Sequence, residues 1–152
     1  MADGVFNIAK GKAAYYATLP ATNDALLVVL LKASGLEADD TLNNYDDLAA
    51  LLAATNDEAD FTNYSRKTLA SVTLTVDDTN NRADADAADF TYTAAGGAAN
   101  NSVGKALIVY DPDTTGGTDS SIIPLTYHDC VFTTDGTDQL IQIAAAGFYR
   151  AA

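Results

Sequence analysis

His128 is the only histidine and Cys130 the only cysteine. They stand two residues apart in Tyr127-His128-Asp129-Cys130-Val131. A thiol beside an imidazole is the raw material of a nucleophile and its base. On a strand, however, residues two apart share a face without being held as a preformed pair, and a thiol in that setting reads as a small core residue. One His and one Cys do not supply the four ligands of a structural zinc site. Carboxylates are plentiful, and Asp39-Asp40, Asp46-Asp47 and Asp77-Asp78 are adjacent pairs. Each pair sits beside turn or cap residues, where Asp binds its own backbone. A glycosidase needs two such acids flanking a sugar, and no tryptophan is present to stack one. Asp111, Asp113 and Asp119 share a Gly-containing loop and could approach a cation, but their spacing is not that of a calcium-binding hand with its closing Glu. The small-residue stretch Ala94-Ala95-Gly96-Gly97-Ala98-Ala99 lacks the Lys-Ser/Thr ending of a phosphate loop. The expectation is a chain with no catalytic residue, no cofactor and no metal.

The elements that would carry these residues are mainly strands. Ala25 to Leu31 is a continuous apolar run flanked by Asn23-Asp24 and Ser34-Gly35, the pattern of a strand buried on both faces. Ala106 to Tyr110 is a second such run. Between them, Ala70, Val72, Leu74 and Val76 alternate with polar residues. Asp77-Asp78-Thr79-Asn80-Asn81 makes a turn, and Ala83, Ala85 and Ala87 resume the alternation, which predicts a hairpin. Phe90 and Tyr92 follow after a one-residue shift read as a bulge. Further strands are predicted at Ile122–Tyr127, Cys130–Thr133 and Gln139–Ala144. Pro124 assigns the first of these to an edge, and Asp135-Gly136 makes the turn between the last two. Leu48, Leu51 and Leu52 have helical spacing, which predicts one helix over about Tyr45 to Ala54 with Asn44 as its cap. Residues 1–20 are either an extended arm or a short helix through Ile8, Lys12, Tyr15 and Tyr16, ended by Pro20 and weakened by Gly11. The predicted architecture is therefore a mainly β single domain over 21–152, a β-sandwich or barrel-like fold, preceded by that N-terminal segment.

Composition narrows the partners. With 21 acidic and 8 basic residues the net charge is -13, which argues against direct contact with nucleic-acid phosphates and against anionic membrane surfaces. It favours solubility and docking on a basic protein surface. Hydrophobic residues make up 48% of the 152, enough for a core without a disulfide or metal. No basic start followed by an apolar run marks a signal peptide. One cysteine fits assembly in a reducing cytoplasm. Aromatic and apolar residues gather at both ends: Phe6, Ile8, Tyr15 and Tyr16 before the first strand, and Phe148 and Tyr149 after the last. They are candidate anchors for a protein interface, and equally they could close the chain's own core.

Four segments carry a family resemblance: Asn7-Ile8-Ala9-Lys10-Gly11-Lys12, Arg66-Lys67-Thr68-Leu69, Val76-Asp77-Asp78-Thr79-Asn80-Asn81-Arg82, and Gly104-Lys105-Ala106-Leu107-Ile108-Val109-Tyr110-Asp111. Together they resemble landmarks of small structural proteins of tailed-bacteriophage virions, in particular capsid decoration (cement) proteins. The resemblance implies a non-enzymatic protein that binds and stabilises a shell of major capsid protein from its outer surface. It also implies a homo-oligomer, a trimer around a local threefold axis, assembled in the host cytoplasm. A tail, adaptor or fibre-associated virion protein is the alternative with the same features. The matching segments are structural, so no functional residue is carried over from them.

Overall fold

The two apolar runs become the central strands of the molecule. The structure is a computed structural model describing residues 3–152, so the first two residues of the 1–20 segment lie outside the described residues. Strand β1 (Gly4–Val5), β2 (Ala25–Lys32) and β3 (Lys67–Thr68) join β7 (Ser102–Asp111) and β8 (Ile123–Thr133) in a five-stranded antiparallel sheet of order β1-β8-β7-β2-β3. β2 and β7 run side by side from the Ala25–Asp111 pair to Lys32–Val103. Side chains on both faces of this pair are covered, which is why neither strand shows a polar alternation. Leu26, Val29, Leu30, Leu31, Leu107 and Val109 are all fully buried.

The remaining strands form two smaller sheets. β4 (Thr73–Asp77) and β5 (Arg82–Asp86) make the predicted hairpin, and β10 (Tyr149–Ala151) pairs with the outer side of β5. Asn80 N donates to Asp77 Oδ1 at 3.1 Å, and Asn81 takes a left-handed φ of 51°, as the turn chemistry requires. β6 (Phe90–Tyr92) pairs with β9 (Gln139–Ile141). The fold is thus mainly β and a single domain, and its sheets stay open without closing into a barrel.

Several local expectations are corrected. Among the described residues there are three short α-helices: α1 (Ala13–Ala17), α2 (Asp39–Leu42) and α3 (Leu48–Ala53). α2 is a single turn, too short to show a period, with Asp39 and Asp40 placed favourably in its first turn. α3 starts later than predicted because its cap is Asp47, whose Oδ1 accepts from Ala50 N at 2.8 Å, whereas Asn44 donates from its side chain to Asp40 O. Ile122–Tyr127 and Cys130–Thr133 are one strand, β8, an inner strand of the sheet whose β1 side is nevertheless an open edge at Pro124, as expected, among the described residues. Pro124 is tolerated because β1 pairs only with Thr126 and Tyr127, and a register shift sets Pro124 opposite Val109. The alternation from Ala70 is broken at Ser71, which has a φ of 55°, so β3 and β4 belong to different sheets. The shift near Ala87-Ala88 is likewise a change of sheet. Gly136 does turn the chain, with φ 96°, but β8 and β9 do not pair across it.

Candidate functional site

The His128–Cys130 stretch lies on the face of β8 that lines a groove of about 310 Å³. Val28, Ala106, Ile108, Phe90, Ile141 and Phe148 are among the other residues that line it. The two candidate reactive groups are placed for structure. His128 Nε2 lies 2.9 Å from Thr126 Oγ1, and Nδ1 lies 3.3 Å from Asp3 Oδ2. Asp3 Oδ1 also accepts from Asp129 N, so Asp3 ties the N-terminal strand to β8. Burial pushes the Cys130 thiol up to about 11. At neutral pH it is protonated and a poor nucleophile.

Lys105 is a site that the sequence reading missed. Its side chain is 0% exposed, on a strand whose buried stretch is otherwise apolar. Nζ lies 2.7 Å from Asp129 Oδ1 and 2.9 Å from Asp39 Oδ1, and 5.1 Å from the centroid of the Tyr127 ring. Burial works against the charge, but the two carboxylates outweigh it and hold the ammonium above its ordinary pKa. The available signal was a lysine inside an apolar strand, which demands a counter-charge; Asp129 faces it directly across the ladder.

Arg66 is a second tie. Its guanidinium grips Glu58 through Nε (2.9 Å) and Nη2 (2.7 Å), and Asp119 through Nη1 (2.6 Å) and Nη2 (2.8 Å). Tyr64 donates to Glu58 Oε1 at 2.8 Å and accepts from Leu30 N at 3.1 Å. Planar, bidentate pairing of this kind is what arginine does and lysine cannot. It holds Asp119 below the usual carboxylate range. The three loop acids are thereby separated: Asp119 belongs to Arg66, Asp111 Oδ1 accepts from Asp113 N, and Asp113 Oδ1 accepts from Thr115 N and Oγ1. Among the described residues, no group of three or more His, Cys, Asp or Glu side chains is gathered as a metal site.

The six candidate interface residues divide. Phe6 is fully buried, edge-on to Tyr127 at 5.4 Å, and Phe148 is buried as well. Tyr16 stacks on Tyr110 at 4.5 Å. Tyr149 lies half-buried in β10 opposite Ala85. Ile8 and Tyr15 face outward, Tyr15 being 60% exposed. Val76, Val131 and Leu140 are also exposed apolar residues, and nothing in their alternating strand patterns distinguished them from inward-facing neighbours. Among the described residues no helix is long and apolar enough to cross a membrane. No protein-family model, curated protein or solved structure matches the chain.

Proposed function

We propose that this chain is a non-enzymatic structural protein of a tailed-phage virion, and specifically a decoration protein that docks on the major capsid protein and stabilises the shell as an oligomer. The observation that carries this reading is how the charged and reactive side chains are used. Lys105, Arg66 and His128 each tie distant segments of the fold together. Outside these ties, apolar surface is left on the N-terminal segment at Ile8 and Tyr15. The four segment resemblances and the net charge of -13, suited to a basic partner surface, support the same reading. The test is quantitative mass spectrometry and cryo-EM of purified particles. Many copies spread over the shell are expected. A few copies confined to the neck or tail overturn the decoration role and favour the tail or adaptor alternative.

A further inference from the structure

We propose that β4 is a self-association edge, at which two copies of the chain pair antiparallel about Thr75. The molecule's other strand edges carry the usual protections against pairing. β1 and β3 have two residues each, and β3 contains Lys67; β6 and β9 have three each; β10 has three and contains Arg150. The part of β8 that extends beyond β1 carries Asp129 and lies beside a register shift. β4 carries only one of these devices, the acid Asp77 at its turn end, which Asn80 and Arg82 already engage. It is five residues long, Thr73-Leu74-Thr75-Val76-Asp77, with no Lys, Arg, Pro or bulge, and β5 is its sole strand partner among the described residues.

The occupant follows from the strand's own register. A twofold axis at Thr75 sets Thr73 opposite Asp77 of the second copy, Leu74 opposite Val76, and Thr75 opposite itself. No like charges face each other, the one acid meets a hydroxyl, and a Thr–Thr pair sits at the centre, all favourable cross-strand neighbours. Leu74 is half-buried against the core while Val76, on the same face, is 68% exposed. Pairing would lay each Val76 beside the other copy's Leu74 and extend the core across the axis. Such a contact is isologous and closes on two copies. It must also overcome repulsion between two chains of net charge -13, so it strengthens as salt screens that charge.

The test is sedimentation of the purified chain over a range of concentration and salt, with Thr75→Lys and Thr75→Asp at an exposed position. The wild type is expected to dimerise, more tightly at high salt. Each variant alone, with like charges facing across the axis, should weaken dimerisation by about tenfold or more. An equimolar mixture of the two should restore it, which also shows that both variants are folded. A wild type that stays monomeric, an oligomer indifferent to both substitutions, or variants that fail to recover on mixing would each overturn the proposal.

Discussion

The five-stranded sheet and the β4-β5-β10 sheet are built from the same antiparallel ladder yet differ in what stabilises them. In the first, β2 and β7 bury both faces with Leu, Ile and Val, and the one lysine buried among the described residues is matched to partners from other segments, Lys105 to Asp39 and Asp129. In the second, the strands are rich in Thr, Ala and Asp, and ionic contacts sit at the surface: Arg150 Nε lies 2.6 Å from Asp84 Oδ1, and Arg82 reaches Asp77 and Asp84 at 3.3 and 3.1 Å. Surface pairs of this kind contribute little to stability. The fold's stability is therefore concentrated in one sheet, leaving the other to present surface.

The largest expected effect separates the two sheets directly. Leu107→Ala, in the middle of β7, should destabilise the protein by about 3 kcal/mol, whereas Val76→Ser in β4 should change stability by about 0.5 kcal/mol or less. Urea denaturation of both variants checks this, and equal effects would break the contrast. Next is Lys105. Lys105→Ala removes the cation that Asp39 and Asp129 share and should cost about 2–3 kcal/mol, moderated because both acids are partly exposed. Lys105→Met, which preserves the packed volume, sharpens the point: if it destabilises as much as Ala does, the lost charge outweighs the lost packing.

A smaller effect concerns acid. Arg66 holds the folded-state pKa of Asp119 below its ordinary value. The stability this contributes is present above the unfolded carboxylate pKa of about 3.9, and is lost as pH falls through the lower folded value. The urea midpoint of the wild type should therefore drop in this acid range, and Asp119→Asn should flatten that part of the drop while lowering stability at pH 7. An unchanged acid slope would remove Asp119 from the account.

What could be read beforehand follows from the range of the interactions. The two buried strands and the 77–81 turn were legible because their signals are local: an unbroken apolar run, and side chains that bond their own backbone. The β6–β9 pairing joins Phe90 to Ile141 and has no local mark. The break at Ser71 depends on a backbone angle that a serine does not announce. Arg66 stood in the sequence as an ordinary cation, and Lys105 was marked only by the apolar run around it. Asp39 lies 66 positions from Lys105 and Asp119 lies 53 from Arg66, so their roles emerged only once the chain was folded. The terminal aromatics show the same limit: Phe6 and Tyr15 are alike in sequence terms, yet one is core and the other surface.

The proposed docking on a capsid surface is tested by adding the purified chain to shells that lack it and measuring binding by co-sedimentation. Saturable binding is expected that weakens only in part at high salt, as for a contact in which apolar packing outweighs charge attraction. At least a tenfold loss is also expected on combining Ile8→Asp with Tyr15→Ala, with the fold intact by circular dichroism. No binding to shells, or binding that the double variant leaves unchanged, would contradict the proposed docking.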